Sequence, residues 1–185
     1  NLELIFDAAH GFGACYRGEP VGGFGKAEVF SLSPTKLVIA GEGGIVSTND
    51  DELAEKVQIG REYGMRNYDS VFPGINARMP EFNAVMGLHS LRLVEGAAQQ
   101  RNVYVSIYHE LLGKLPGIGF QEVHSEDRCS FMDFSIVIDE NRYGLSRDEL
   151  ATALTSENID VRKYYDPPVH RQMAYKEYCP SDRKL

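Results

Sequence analysis

A lysine, Lys36, stands between an apolar run and a glycine cluster, and its setting suits covalent chemistry. The run covers residues 27 to 32, and the cluster is Gly41-Glu42-Gly43-Gly44. Apolar surroundings strip water from a lysine and favour its neutral, nucleophilic amine. Such an amine can form a Schiff base with an aldehyde cofactor. On this window alone, a solvated lysine in a surface loop remains the alternative.

A carboxylate follows the first apolar run of the chain. Residues 2 to 6 predict a short buried strand, and Asp7 stands where this strand ends. Ligands of parallel α/β sheets collect at the carboxyl ends of strands. A carboxylate that faces a pyridine nitrogen keeps it protonated, so that the ring can act as an electron sink. Small residues follow and leave room for a flat ring, although Asp7 could instead cap the next turn.

These two windows and two further segments together resemble the DegT/StrS family of nucleotide-sugar aminotransferases. The matching pieces are Asp7-Ala8-Ala9-His10, the pair Ser31 and Lys36 at a spacing of five, Gly41-Glu42-Gly43-Gly44, Asn76-Ala77-Arg78-Met79-Pro80-Glu81, and residues 162 to 170, RKYYDPPVH. The resemblance implies an α/β protein, part of a fold type I large domain with a mostly parallel sheet. A smaller α+β domain would follow it. It implies pyridoxal 5'-phosphate (PLP) as the cofactor.

The same resemblance assigns roles to individual residues. Lys36 would be the Schiff-base lysine and general base, Asp7 the partner of the pyridine nitrogen, and Ser31 a donor to the cofactor phosphate. His10 would lie near the cofactor ring. Asn76 would approach the phosphate bound by a partner subunit. Glu42 is expected to hold the glycine turn. Structural roles in the core or in a solvated loop are the alternatives for Ser31, His10 and Asn76.

The substrate-binding candidates lie near the end of the chain. His170 resembles a family histidine near the sugar-nucleotide pocket, Arg162 is one of the cations that could meet an anionic substrate, and Tyr164 could stack on a base or sugar. A solvated histidine and packing aromatic residues are the alternatives. Other candidate cations are Arg66, Arg78, Lys163 and Arg171.

The implied reaction moves an amino group from glutamate to a keto group of a nucleotide-linked deoxysugar. Sugar dehydratases of this fold carry histidine in place of the lysine, so Lys36 favours transfer. The resemblance covers an interior segment of the family's length, without its N-terminal phosphate-binding turn and stacking aromatic residue. We therefore expect weak cofactor binding and little or no activity from these 185 residues. The alternative function is a truncated family member that only folds or dimerises.

Composition limits the partners and the compartment. Hydrophobic residues make up 43% and charged residues 25% of the chain, and the net charge is -8. The acidic balance argues against nucleic acid, and no apolar run has the length of a membrane span. Three scattered cysteines and five scattered histidines predict neither a disulfide framework nor a metal site, and favour a cytoplasmic protein. The resemblance adds a homodimer.

Periodicity and turn signals predict three regions. The resemblance implies that residues 1 to 80 complete the cofactor-binding domain, that 81 to 112 form a connecting helix, and that 113 to 185 form an incomplete small domain. A single long helix and two helices broken at Gly96 both fit the middle region. The remaining predictions are strands over 29–33, 44–48, 129–138 and 158–162, helices over 51–63 and 146–157, and an irregular loop over 63–78. The resemblance implies that this loop crosses the dimer interface.

Overall fold

The computed structural model describes residues 2–178, which divide into two compact units. One unit comprises residues 2–115 and 119–137, and the other comprises 116–118 and 138–178. The strands are β1 (Ile5–Asp7), β2 (Cys15–Tyr16), β3 (Glu19–Pro20), β4 (Ala27–Ser31), β5 (Gly44–Ser47), β6 (Met65–Arg66), β7 (Asp69–Ser70), β8 (Ile118–Phe120) and β9 (Ile136–Ile138). The α-helices are α1 (Asp51–Gly60), α2 (Glu81–Leu91), α3 (Val94–Leu112), α4 (Glu140–Tyr143) and α5 (Arg147–Ser156). Two short 3₁₀ helices follow, Val169–Arg171 and Met173–Tyr178.

A mixed sheet in the order β1-β4-β5 organises the first unit. β1 runs parallel to β4, whereas β5 is antiparallel to it. The α/β class is confirmed, with a mixed sheet rather than a mostly parallel one. β1 was expected to be buried, and this expectation was wrong: it is an edge strand of the described sheet, and Ile5 is 61% exposed.

The core lies directly beneath the turn that carries Lys36. Leu32, Val38 and Ala40 are almost fully buried, and Phe12 and Val94 pack against them with other apolar side chains. The turn therefore leaves β4 and returns to β5 over a fixed apolar base.

α1 begins as its acidic first turn predicts. The Asp50 side chain accepts a hydrogen bond from the Leu53 N–H at 2.9 Å, and Asp51 and Glu52 lie in the first turn. Carboxylates are favourable there because the helix N-terminus carries partial positive charge. The predicted helix is confirmed, and it ends at Gly60, near the expected residue 63.

The segment after α1 is more regular than its composition predicts. β6 and β7 form a hairpin with Asn67 and Tyr68 at its tip, both with positive φ. Its base is bonded to the end of α1, since the Ile75 N–H donates to the Gly60 carbonyl at 2.8 Å. Gly74 packs so closely on this turn that a Cβ would lie 2.0 Å from the Gly64 nitrogen. The prediction of an irregular loop was wrong here, because the glycines permit a close backbone pairing.

Two helices occupy the region where one long helix or two were expected. α2 ends at Leu91 and α3 begins at Val94, so the chain breaks at Arg92 and Leu93. Gly96, the expected break, lies inside α3. Propensity alone did not locate the break, because a single glycine is tolerated within a helix that packing supports.

Residues 129–135 do not form the predicted strand, of which only β9 remains. Side chains of α3 take the carbonyls that a ladder would use: Asn102 donates to the Cys129 carbonyl and Arg101 to the Phe131 carbonyl, both at 2.9 Å. Phe131 also has a φ of +45°, which breaks an extended backbone.

α5 of the second unit has the predicted capping box. The Ser146 hydroxyl accepts from the Glu149 N–H, and the Glu149 carboxylate accepts from the Ser146 N–H. The strand predicted over residues 158–162 is absent from the described structure. Asn158 has a φ of +61°, and the Ile159 N–H donates to the Leu154 carbonyl, so these residues form the helix C-cap.

Across residues 2–178, no helix combines the length and the apolar character needed to cross a membrane. Cys15 and Cys129 are free thiols, and Cys179 lies outside the described residues.

Candidate active site

Asp7 and Ser31 share one face of the sheet at the carboxyl ends of β1 and β4. Asp7 pairs in register with Val29, and side chains alternate between faces along a strand. Glu28 and Phe30 are buried on one face, whereas Val29 is 42% exposed on the other. Ser31 is two residues beyond Val29, so it lies on the same face as Val29 and Asp7.

The Asp7 carboxylate stabilises the turn that follows β1. Its Oδ1 accepts from the Ala9 N–H at 3.1 Å. The Ala8 N–H donates to the Val29 carbonyl at 2.9 Å, and the Gly11 N–H donates to the Ala8 carbonyl at 2.8 Å. The capping role is therefore real, and it holds the carboxylate at the end of the strand.

Among the described residues, the Ser31 hydroxyl makes only long hydrogen bonds. Its Oγ lies 3.4 Å from Ser33 Oγ, and the Ser33 N–H donates to it at 3.4 Å. Hydroxyl hydrogen bonds are usually close to 2.8 Å. The hydroxyl can therefore turn towards a stronger acceptor at little cost.

Lys36 lies in a tight turn beyond β4, where its N–H donates to the Ser33 carbonyl at 3.0 Å. Its side chain enters a small hollow and donates from Nζ to the Met132 Sδ at 3.5 Å. The hollow is lined by Ala9, His10, Phe12, Lys36, Leu37 and Met132. The structure thus brings the segment after Asp7 and the segment after Ser31 together around the lysine.

The glycine cluster closes the turn that carries Lys36. The Leu32 N–H donates to the Gly43 carbonyl at 2.9 Å, and Asn83 donates to the Glu42 carbonyl at 2.9 Å. Gly43 has a φ of +143°, and a Cβ there would lie 3.0 Å from the Met79 Cε. The backbone of Glu42, rather than its carboxylate, makes the described contact with α2.

Asn76 lies at the base of the hairpin, apart from the hollow. It forms an antiparallel bridge with Glu62, next to the end of α1. The ion pair between Arg78 and Glu62 lies beside it, at 3.5 Å. The structure places Asn76 on the segment that was expected to approach a partner subunit.

The substrate-side candidates all lie in the second unit. Arg162 and Tyr164 belong to a segment without regular structure, and His170 lies in the 3₁₀ helix Val169–Arg171. Lys163, between the first two, pairs with Asp148 of α5 at 3.2 Å.

Ion pairs tie this segment to the first turn of α5. Arg147 pairs with Asp166 at 2.7 Å and with Asp148 at 2.9 Å. The hydrogen bonds from Arg147 and Lys163 hold the pKa of the Asp148 carboxyl below its ordinary value. The carboxylates of Asp148 and Asp166 in turn raise the pKa of the Arg147 guanidinium.

Met132 and Ser130 adjoin this site, although no sequence pattern marks them as site residues. Met132 is 96 positions from Lys36, whose amine it contacts. Ser130 is 1% exposed, and its hydroxyl donates to the His10 carbonyl at 3.0 Å. Both lie where an ordinary strand was predicted, so no local pattern distinguishes them.

The sequence profile of the DegT/DnrJ/EryC1/StrS aminotransferase family matches residues 1–185. GDP-perosamine synthase of Caulobacter vibrioides is 33% identical over 100% of this chain and 50% of its own length. The dTDP-3-amino-3,4,6-trideoxy-alpha-D-glucose transaminase of Streptomyces venezuelae is 32% identical over 100% of this chain and 48% of its own length. The chain thus spans about half the length of the curated relatives it matches.

Among solved structures, DesV of S. venezuelae in complex with a ketimine intermediate is similar over the whole chain. The TM-score is 0.90 at 31% identity, and the match covers 100% of this chain and 48% of DesV. The arrangement of strands and helices described above is therefore an aminotransferase fold.

Proposed function

Because the chain belongs to the DegT/DnrJ/EryC1/StrS aminotransferase family, we propose that the protein is a PLP-dependent aminotransferase of nucleotide-linked deoxysugars. Glutamate supplies the amino group, and a keto group of the sugar receives it. The observation that carries the proposal is the hollow in which Lys36 meets residues following Asp7. The names of the Caulobacter relative and the Streptomyces relative, a GDP-perosamine synthase and a dTDP-aminosugar transaminase, support the substrate class.

The residues present fit PLP by their chemistry. The cofactor presents an aldehyde, a ring nitrogen and a phosphate, and the site offers an amine, a carboxylate and a hydroxyl in Lys36, Asp7 and Ser31. Asp7 and Ser31 share one face of the sheet, and Lys36 follows the strand that ends at Ser31. When bound, the cofactor serves as an electron sink for the substrate carbon that exchanges its amino group.

Lys36 has two functions in this proposal. Its amine holds the cofactor covalently between turnovers, and once released it moves a proton as general base. The hollow suits both functions because Ala9, Phe12, Leu37 and Met132 give the half-buried amine a largely apolar surround without a carboxylate among the lining residues. Its contact with a thioether, a weak acceptor, leaves the amine available.

Asp7 and Ser31 orient the cofactor. The Asp7 carboxylate would hold a proton on the ring nitrogen, and the Ala9 N–H keeps that carboxylate at the strand end. The Ser31 hydroxyl would exchange its long contacts with Ser33 for a phosphate oxygen. His10, which lines the hollow, would lie beside the ring.

The second unit would meet the substrate. Arg162 would contact the nucleotide phosphates, and Tyr164 would stack on the base or sugar. His170 would lie near the bound nucleotide sugar. The ion pairs of Arg147 and Lys163 hold the backbone on either side of Tyr164. We assign residues 1 to 80, 81 to 112 and 113 to 185 to the cofactor domain, the connecting helical region and the small domain.

A homodimer and a cytoplasmic location complete the proposal. The hairpin tip supports the dimer, because Tyr68 is fully exposed there, and Asn76 would reach the partner's cofactor phosphate from the hairpin base. The free thiols of Cys15 and Cys129 fit a reducing compartment. Sedimentation over a range of concentrations tests the dimer, and a monomer at the highest concentration would contradict it.

The proposed function is tested by titrating the purified chain with PLP and following visible absorbance, then assaying glutamate-dependent transfer to a keto-sugar nucleotide. Saturable binding that requires Lys36 supports the cofactor site. Absence of binding favours the alternative, a family member that folds and associates without chemistry.

A further inference from the structure

Residues 128–132, here called the strap, are fixed to the segment that follows Asp7. The N–H groups and carbonyls of Cys15 and Arg128 exchange two hydrogen bonds, both at 2.9 Å. The Arg128 Nε also donates to the Gly13 carbonyl at 2.9 Å. The strap is therefore hydrogen-bonded to the segment that carries His10, although more than 100 residues separate the two in sequence.

α3 fixes the strap from the other side. Asn102 and Arg101 donate to the carbonyls of Cys129 and Phe131, both at 2.9 Å. Arg128 binds the Glu95 carboxylate through two nitrogens, at 2.6 and 2.9 Å. Such a bidentate pair fixes geometry better than a single contact. The backbone immediately before Met132 is thus held at Cys129 and Phe131, and the Arg128 side chain is fixed beside them.

Ser130 connects the strap to the hollow from within. Its side chain is buried, and its hydroxyl donates to the His10 carbonyl at 3.0 Å. This contact links two walls of the hollow, since His10 lines it and so does Met132, two residues after Ser130. A shift of the strap would therefore move both walls.

We infer that Met132 is a further active-site residue that sets the resting position of the Lys36 amine, and that Arg128 and Ser130 position it. The inference rests on the proposed function of Lys36. Met132 Sδ lies 3.5 Å from Lys36 Nζ, and an uncharged thioether accepts only weakly. It holds the amine near its reaction position and does not compete for it as a carboxylate would.

The test uses the 185-residue chain without cofactor and measures the accessibility of the Lys36 amine. Reductive methylation with formaldehyde and a borohydride is followed by peptide mass spectrometry, with exposed Lys56 as the internal standard. Met132→Ala opens the hollow, and we expect Lys36 to be methylated about tenfold faster, the rate ratio that corresponds to about 1.4 kcal/mol. Met132→Leu preserves the volume but removes the sulfur acceptor, so its labelling should rise, though less than that of Met132→Ala.

Two further variants keep the test decisive. Met132→Gln places a stronger acceptor at similar length, so it should slow Lys36 labelling even if the alanine variant fails to fold. Met173→Ala removes a methionine that is 86% exposed and should change nothing. Ser130→Ala, which loses the bond to His10, should raise Lys36 labelling, and Ser130→Thr should restore it.

Lys36 labelling that stays within about twofold in folded Met132→Ala and in Met132→Gln would overturn the inference. A parallel arm reacts the unsubstituted chain with PLP and locates the reduced adduct. Failure to modify Lys36 in that arm refutes the proposed function. The methylation rates, which are measured without cofactor, test only the role of Met132 in positioning the amine. The two failures are therefore distinguishable.

Discussion

Asp7 lies opposite Val29 in the parallel pairing of β1 and β4, and Ser31, two residues after Val29, ends β4. This register gives Asp7 and Ser31 the same face of the sheet and the same edge. Both turns that leave this edge then contribute to the hollow around Lys36. A slip of one residue would send Asp7 to the face that buries Phe30, so the register itself is a condition of the site.

Asp7→Asn tests the charge of the carboxylate separately from its structural contact. The asparagine Oδ1 can still accept from the Ala9 N–H, so the unfolding midpoint should change little. Loss of a hydrogen bond to a charged ring nitrogen should weaken PLP binding about tenfold or more, because such bonds contribute about 1.5–3 kcal/mol. Equilibrium titration by visible absorbance measures the affinity, and Asp7→Ala serves as the variant that loses both contacts. Equal affinities of Asp7→Asn and the unsubstituted chain would exclude the ring-nitrogen role.

Ser31→Ala tests the proposed phosphate contact. Within residues 2–178 the hydroxyl makes only 3.4 Å hydrogen bonds, so its removal should cost little stability. PLP binding should weaken by about fivefold, the effect of a net hydrogen bond of about 1 kcal/mol. The comparison ligand is pyridoxal, which lacks the phosphate and should bind both proteins alike. Ser33→Ala is the matched control, and an equal loss of PLP affinity in that variant would contradict a specific role for Ser31.

The bidentate ion pair between Arg128 and Glu95, here called the clamp, predicts that acid destabilises the first unit. The hydrogen bond from Arg128 holds the pKa of the Glu95 carboxyl below its ordinary value of 4.5. A lowered folded-state pKa means that this stabilisation is complete above about pH 4.5 and is lost as the pH falls towards the lower folded-state value. Glu95→Gln should therefore have a lower unfolding midpoint than the unsubstituted chain at pH 7. Between pH 5 and pH 3 its midpoint should fall by less than that of the unsubstituted chain.

Thermal unfolding followed by circular dichroism over that pH range measures the effect. Glu110→Gln, on the same helix but outside the described ion pairs, is the control and should keep the acid dependence of the unsubstituted chain. Parallel pH profiles for Glu95→Gln and the unsubstituted chain would show that the clamp adds no acid-dependent stability.

Ser146→Ala tests the capping box of α5. The alanine cannot accept the Glu149 N–H, and we expect a loss of about 1 kcal/mol in the free energy of unfolding of the region that includes α5. Urea unfolding followed by helical circular dichroism measures it. Thr152→Ala is the control, because Thr152 bonds the Asp148 carbonyl within the exposed helix and alanine is a better helix former. A smaller loss for Ser146→Ala than for Thr152→Ala would contradict the cap.

Local signals predicted the elements that position the site. The acidic start of α1, the Ser146–Glu149 box and the two strands around Lys36 all depend on neighbouring residues, so the sequence shows them directly. Asp7 was selectable because it ends a predicted strand and Lys36 because it follows one, whereas Ser31 was selected through the family resemblance.

Long-range contacts decided the rest. Residues 129–138 were predicted as one strand because Phe134, Ile136 and Ile138 alternate on one face, yet Arg101 and Asn102 bind the carbonyls of Phe131 and Cys129 from a helix some 30 residues earlier. The C-cap at Asn158 likewise displaced a predicted strand, because a positive φ there satisfies the helix end. Met132 came into contact with Lys36 only through these tertiary bonds.

The central claim is that Lys36 is the lysine that holds the cofactor. The most direct measurement is reduction of the chain with borohydride in the presence of limiting PLP, followed by peptide mapping of the pyridoxyl group by mass spectrometry. We predict modification concentrated on Lys36, abolished in Lys36→Ala and unchanged in Lys56→Ala, whose amine pairs with Glu52 on the surface of α1. Modification spread over the exposed lysines, or undiminished in Lys36→Ala, would contradict the account.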